Sequence, residues 1–333
     1  MKIPTIGITI GDPAGIGPEI VVKALHQYDI LKRCRIVILG TESIIRKQSE
    51  AQNIDIPISI VRSLSTLSNN CNILSIFDPG SLELSSYRMG KVQAECGQAA
   101  YDYIRQAVEL ARAGHIDALV TAPIHKESLQ MAGISTIGHT EILADLTNST
   151  HPFTMFEVHG LRVFFLSRHL SLRQAINFVT RANVFDALQR SQQELRKLGV
   201  PNPKIAVAGL NPHCGENGRF GTEETEEIIP AIADACKTGI DVIGPIAADS
   251  IFHLGKEKQW DGILSLYHDQ GHIATKSIDF HKTVSITLGL PFLRTSVDHG
   301  TAMDIAGKGI ANPESMYRAI LTAIQYLPYY QSE

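Results

Sequence analysis

An α/β fold of two α/β/α domains, with mainly parallel sheets and an antiparallel part in the second domain, is what this sequence predicts. Three observations carry the expectation. Continuous apolar, β-branched runs recur along the chain and alternate with longer stretches of helical period, the pattern of buried parallel strands covered by helices on both faces. The dipeptide His159-Gly160 joins FTMFEV to LRVFFL, which reads as an antiparallel hairpin in the middle of the chain. The length, 333 residues, suits two hydrophobic cores better than one.

Taken in order, strands are expected at 6–10, 35–39, 73–77, 118–121, 163–166, 204–208, 262–266 and 284–287. Each is a run too short for a helix and rich in Ile, Val, Leu or Phe. Helices are expected at 91–113, 180–198, 222–237 and 315–327, where the period lengthens. The first strand runs into Gly11-Asp12-Pro13-Ala14-Gly15-Ile16-Gly17-Pro18-Glu19, and the helical IVVKAL follows. No internal repeat or low-complexity segment interrupts the pattern.

Composition narrows the function classes. Hydrophobic residues make up 44% and charged residues 19%, as in a globular protein of enzyme size. A formal charge of −4 leaves no basic footprint for nucleic acid, so an anionic ligand has to be held by a local cluster of cations. The five cysteines are odd in number and contain no C-x-x-C pair, which argues against a disulfide framework or a thiolate zinc site. IPTIGITIG carries Gly and meets Asp12 at once, unlike the apolar core of a secretion signal, and no apolar run reaches membrane-spanning length. A cytoplasmic protein without nucleic-acid or membrane partners is expected.

The chemistry concentrates in a few segments. His169 in SRHLSL, His213 in NPHCGENG and His268 in YHDQGH each lie beside an apolar run that ends in a polar, turn-forming cluster. Carboxyl ends of parallel strands are where α/β proteins bind ligands, and three neutral imidazoles gathered there suit a divalent metal with open positions. Taken singly, each histidine reads as a packed or hydrogen-bonded residue; the grouping is what raises a metal. Asp269 is a candidate partner or oxygen ligand for such a site, Asp249 in AADSIF a candidate acid or base, and His272 is left outside the ligand set.

Other segments look made for anions. Gly11, Gly15 and Gly17 allow close backbone approach, and the helix start after them would offer exposed amides; the alternative is a tight strand-to-helix turn. His139 and Thr140 open a predicted helix, with Thr140 as N-cap, and are candidates to hold a phosphate or a carboxylate. Lys276 and Arg294 flank VSITLGLPFLR as candidate anion ligands, against a default of surface solvation. From His299 to Pro313 a loop punctuated by Gly307 and Gly309 offers Asp304 and Asn312 as hydrogen-bonding groups for an adenosine moiety.

The long motifs GDPAGIGPE, TAPIHK, GHTE, GLNPHCGE, YHDQGH and TLGLPFLRTSVDHGTA, in this order, closely resemble the 4-hydroxythreonine-4-phosphate dehydrogenase family of pyridoxal phosphate (vitamin B6) biosynthesis. The resemblance implies an isocitrate/isopropylmalate dehydrogenase-like fold. It implies a cofactor domain at 1–130 plus 290–333, and a metal, substrate and dimerisation domain at 131–289. It also implies a homodimer with the active site at the subunit interface, and one divalent metal (Zn, Mg, Co or Mn) on His169, His213 and His268. Substrate contacts would come from His139, Thr140, Lys276, Ser285 and Arg294, with Asp249, Lys276 and Asp269 as alternatives for the base. NAD, or NADP, would lie on Gly11, Gly15, Gly17, His299, Asp304 and Asn312.

The implied reaction oxidises 4-phosphooxy-L-threonine to a 3-keto acid, which decarboxylates to 3-amino-2-oxopropyl phosphate. Two departures stand out: Ser285 replaces the Asn of the family pattern, and Ser167-Arg168 replaces a small or Thr pair. GKVQAECG, GENGRFG, YHDQGHI and PESM resemble a sister branch that oxidatively decarboxylates D-threonate or D-erythronate 4-phosphate. Other relatives oxidise cis-diols. A phosphate acyltransferase of related architecture, or a non-catalytic metabolite binder, would need neither the histidine set nor an adenosine loop.

Overall fold

The computed structural model describes residues 3–27, 30–61, 73–80, 82, 87–136, 138–150 and 152–330; Cys71 lies outside them. The chain forms two compact units, 1–152 with 284–333, and 153–283. The first unit contains β1 (Thr5–Thr9), α1 (Gly17–Gln27), β2 (Arg35–Leu39), α2 (Glu42–Ala51), β3 (Ile58–Ile60), β4 (Leu74–Phe77), α3 (Ala94–Arg112), β5 (Ala118–Thr121), α4 (Lys126–Met131) and α5 (His139–Thr147). The second contains β6 (Phe153–Val158), β7 (Leu161–Phe165), α6 (Leu172–Phe178), α7 (Arg181–Lys197), β8 (Lys204–Ala208), α8 (Ile229–Lys237), β9 (Asp241–Ile246), α9 (Ala248–Lys256), β10 (Gly262–Ser265) and α10 (His268–Ile278). The chain then returns to the first unit with β11 (Val284–Leu288), β12 (Leu293–Val297) and α11 (Glu314–Tyr326).

In the first unit the strands run β3–β4–β2–β1–β5–β12–β11, parallel except for the β11/β12 pair. Every residue of β1 and β5 is buried, as strands covered on both faces must be. Strand order reverses at β1, between β2 and β5. There the loops leaving β1 and β5 meet, with Asp12 N–H donating to Pro123 O at 2.9 Å. The unit extends to residue 152 rather than 130 because α4 and α5 pack on α3. It resumes at 284 rather than 290 because β11 pairs with β12.

In the second unit the order is β6–β7–β10–β8–β9, with the β6/β7 hairpin antiparallel and the other neighbours parallel. His159 and Gly160 both take positive φ, 51° and 84°, as a two-residue hairpin turn requires. Phe156, Val163 and Phe165 of the hairpin pack with Ala206, Ile251 and Ile263 in the core. The helix expected at 222–237 is divided: a π-type turn over Glu224–Ile228 precedes α8. Pro230 has no N–H for the regular ladder at that point. Among the described residues no helix is long and apolar enough to cross a membrane.

Candidate active site

In the second unit the three histidine-bearing turns leave adjacent strands β7, β10 and β8 at their carboxyl ends. His169 is exposed in the turn after β7, which is anchored by Leu166 N–H to Ser265 O (2.8 Å) and by buried Ser167 Oγ to Leu266 O (3.0 Å). Arg168, beside it, lies within electrostatic reach of His272. Gln270 ties the other two turns together. Its Oε1 accepts from Leu266 N–H at 2.7 Å, and its Nε2 donates to Gly209 O at 2.8 Å.

His213 sits in a strained turn. His213, Cys214, Gly215, Glu216 and Asn217 all have positive φ, and four of the five are not glycine. Such backbone is costly and persists only where the surroundings hold it. Glu224, 1% exposed, is the holdfast. Its Oε1 accepts from the N–H groups of Leu210 and Asn211 at 2.8 and 2.7 Å, and its Oε2 from Asn211 Nδ2 at 2.8 Å. A side chain at Gly215 would meet Gly221 O at 2.8 Å and Glu224 Oε2 at 2.9 Å, so only glycine fits. Burial, then the carboxylates of Glu224 and Asp249, push the Cys214 thiol up, which disfavours a reactive thiolate beside His213.

His268 opens α10, with Nδ1 donating to Asp269 Oδ1 at 2.6 Å. That bond fixes the tautomer and leaves Nε2 as the outward electron-pair donor, the arrangement expected of a metal-binding imidazole. One turn on, His272 stacks beneath it with ring centroids 4.1 Å apart, and packs on Phe156 and Phe165. Burial, then the neighbouring His268 and the cations of Lys276 and Arg168, pulls His272 down to about 3, so it is neutral. Lys276 follows on α10 with Nζ over the Phe280 ring. Asp249 is exposed in the first turn of α9 and accepts from Ser250 Oγ at 3.1 Å. The donor chemistry suits a divalent metal. Yet among the described residues no group of three His, Cys, Asp or Glu side chains is close enough within one chain to hold one.

The first unit brings Arg294 and His139 together. Arg294 on β12 is 3% exposed rather than solvated. It donates from Nη1 to Thr287 Oγ1 at 2.7 Å and from Nη2 to Thr121 Oγ1 at 2.5 Å, both neutral hydroxyls. His139 lies near it at the start of α5, with Nε2 buried and without a hydrogen-bond partner. Burial, then the Arg294 charge, holds His139 well below its ordinary value of 6.5. Thr140 is not the N-cap. The helix begins two residues earlier, at His139 with Gly138 at the cap, so Thr140 falls in the first turn. Ser285 on β11 pairs in register with Ser296 on β12 and is 8% exposed.

The glycine-rich loop does not present the exposed amides expected of it. Residues 11–20 are buried, and the N–H groups of Asp12, Ala14, Gly15 and Ile16 donate to Pro123 O, Asp12 Oδ1, Asp12 O and Thr301 O. A side chain at Gly11 would strike Pro123 O and one at Gly17 would strike Ile10 O, both at 2.1 Å. These glycines serve backbone packing. The 299–312 loop is different: Asp304 and Asn312 are exposed on it and His299 is half-buried, and Asn312 Oδ1 accepts from Glu314 N–H at 2.9 Å. An exposed carboxylate and amide with a half-buried imidazole on one loop offer donors and acceptors of the kind an adenosine takes. Gln270 and Glu224 escaped the sequence reading, because a polar residue in a helical stretch reads as solvated.

Residues 32–323 match the family described as pyridoxal phosphate biosynthetic protein PdxA. A relative from Halalkalibacterium halodurans, named "Putative D-threonate 4-phosphate dehydrogenase", is 50% identical over 99% of this chain and 98% of its own. One of the same name from Clostridium botulinum is 49% identical over 98% and 97%. The solved 4-hydroxythreonine-4-phosphate dehydrogenase from Klebsiella pneumoniae superposes with a TM-score of 0.89, at 38% identity, covering 97% of this chain and 99% of that one.

Proposed function

The chain belongs to the pyridoxal phosphate biosynthetic protein PdxA family, and from that premise we propose that it oxidises the C3 hydroxyl of a 4-phosphorylated hydroxy acid with NAD. It is a dehydrogenase acting on a CH–OH group. The observation that carries the substrate class is the corner of buried Arg294, which donates to the Thr287 and Thr121 hydroxyls, and neutral His139 beside it, a cation on a strand that suits a phosphate or carboxylate. With 4-phosphooxy-L-threonine, a base on the chain would take the C3 hydroxyl proton, and NAD, when bound, would supply the acceptor for the C3 hydride. The 3-keto acid then loses CO2, the electrons of the broken C1–C2 bond move into the C3 carbonyl to give an enolate, and a proton returned to C2 gives 3-amino-2-oxopropyl phosphate. A second reading, D-threonate or D-erythronate 4-phosphate, has the higher identities in its favour: 49–50% against 38%.

The side chains divide the work. Arg294, His139 and Thr140 are assigned to an anionic group of the substrate, and Lys276 is a separate candidate for an anionic group. Ser285 is a shorter substrate contact than the family's Asn. The base is Asp249, Lys276 or Asp269, and the 299–312 loop holds the adenosine end of NAD or NADP. A divalent metal (Zn, Mg, Co or Mn) would supply Lewis acidity to the reacting hydroxyl when bound. One chain does not assemble His169, His213 and His268 into a ligand set, so we assign completion of that set to a second copy. Leu172 is 60%, Phe178 39% and Phe220 52% exposed, and exposed apolar side chains of this size suit self-association. Four described cysteines are free thiols, which favours a cytoplasmic setting.

The test is NADH formation with 4-phosphooxy-L-threonine, D-threonate 4-phosphate and D-erythronate 4-phosphate, each with and without chelator. Chelator-sensitive turnover of one of them is expected. Turnover of none, with NAD and metal both supplied, would defeat the proposal.

A further inference from the structure

The loop assigned to the cofactor is fastened at both ends by the segment that follows β1. At its start, Ile16 N–H donates to Thr301 O at 3.0 Å. At its far end, Lys23 of α1 donates from Nζ to Gly309 O at 2.8 Å, Ala311 O at 3.1 Å and Glu19 Oε1 at 2.7 Å. Glu19 Oε1 accepts in turn from Ala311 N–H at 2.8 Å. An ammonium has three donors, and all three are engaged, two of them on loop carbonyls. Glu19 is 0% exposed, and its second oxygen is buried without a hydrogen-bond partner.

Burying such a pair is a poor route to stability, because desolvation of both charges offsets their attraction. What the arrangement does achieve is register. Three of its four hydrogen bonds run to the backbone of residues 309–311, which are remote in sequence, and the fourth joins the two side chains. Asp304 and Gly307 lie between the two fastenings, with Gly307 at φ 77°. A loop already held in its bound shape avoids the ordering cost that otherwise weakens ligand binding.

We propose that Glu19 and Lys23 are positioning residues for the cofactor: they hold the 302–311 loop in its binding geometry without touching the ligand. This rests on the assignment of that loop to NAD. The test uses the full-length wild type, Lys23→Met and Glu19→Gln, the second keeping an acceptor for Ala311 N–H should the first fold poorly. Three readouts are compared: amide hydrogen exchange across 302–311, NAD affinity by calorimetry, and steady-state kinetics.

Faster exchange confined to the loop is expected, with NAD Kd and KM raised roughly tenfold while kcat at saturating NAD and substrate KM hold. Unchanged loop exchange in both variants would overturn the fastening. Faster exchange with unchanged NAD affinity would overturn the cofactor role and leave only a structural one. Failure of the wild type to bind NAD would instead defeat the cofactor assignment itself, a result the exchange data do not share.

Discussion

Replacing Glu224 by Ala removes the acceptor beneath the His213 turn, and the consequences can be worked from the contacts. Three donors lose their partner: the N–H groups of Leu210 and Asn211, and Asn211 Nδ2, which keeps only Glu223 Oε2 at 2.7 Å. A buried donor left unsatisfied costs about 1–3 kcal/mol. Against this stand four non-glycine residues in left-handed backbone, each disfavoured by about 1–2 kcal/mol. The two totals are of similar size, so without Glu224 the turn gains as much by relaxing as it loses by staying. The expected outcome is a local rearrangement. Tm falls by only a few degrees, amide exchange over 210–221 accelerates, and kcat/KM drops at least roughly a hundredfold as His213 leaves its position. Hydrogen exchange read beside kinetics separates this from general unfolding. Wild-type exchange over 210–221 in a folded Glu224→Ala protein would show that the strain is held by something else.

Three further outcomes follow from buried charges. Arg294→Lys keeps the charge but cannot span Thr287 and Thr121, so kcat/KM should fall about a hundredfold, mainly through substrate KM; an unchanged KM counts against the anion corner. His139 is held below 6.5 by burial and then Arg294, so its neutral form contributes stability that is complete above that value and is lost as pH falls below it. Tm measured against pH should therefore decline on acidification less steeply in His139→Phe, and parallel curves would refute it. Burial raises Asp12 above 3.8 despite the Ala14 N–H bond, so the fold gains stability as pH falls through that raised value. Asp12→Asn, which retains the acceptor for Ala14, should raise Tm at neutral pH; a lowered Tm there shows that the ionised carboxylate is needed.

The strands that were legible in the sequence are those built from unbroken aliphatic runs, such as β2 (RIVIL) and β8 (KIAVA). β9 was hidden because Gly244 and Pro245 interrupt it, and β12 because LRTSV carries Arg, Thr and Ser on a strand that is nonetheless wholly buried. Those polar residues have partners across the sheet: Arg294 reaches Thr287 and Thr121, and Ser296 pairs with Thr121. Such satisfaction is a property of the tertiary fold, not of local composition. The same limit applies to the site. Turn chemistry beside apolar runs located His169, His213 and His268, but Gln270 and Glu224 do their work on loops far along the chain. Gly11, Gly15 and Gly17 pack against backbone within the protein, and such close approach leaves the same glycine signature as close approach to a ligand.

Buried charge is the thread that joins these features. Glu224, Arg294 and the Glu19–Lys23 pair are each nearly or fully dehydrated on at least one partner, and each directs its bonds at backbone groups or hydroxyls beside a loop or strand end. Apolar residues of similar volume would fill these positions at lower desolvation cost. They could not, however, fix where a backbone N–H or C=O lies. A hydrophobic contact tolerates sliding, whereas a carboxylate accepting two N–H groups sets both position and direction. The three sites therefore act as position markers: one for the His213 turn, one for the anion corner, one for the 302–311 loop. On this argument, apolar replacement of any of them should cost more in binding or turnover than in thermal stability, and the Glu224 and Lys23 variants measure that inequality in separate units of the fold.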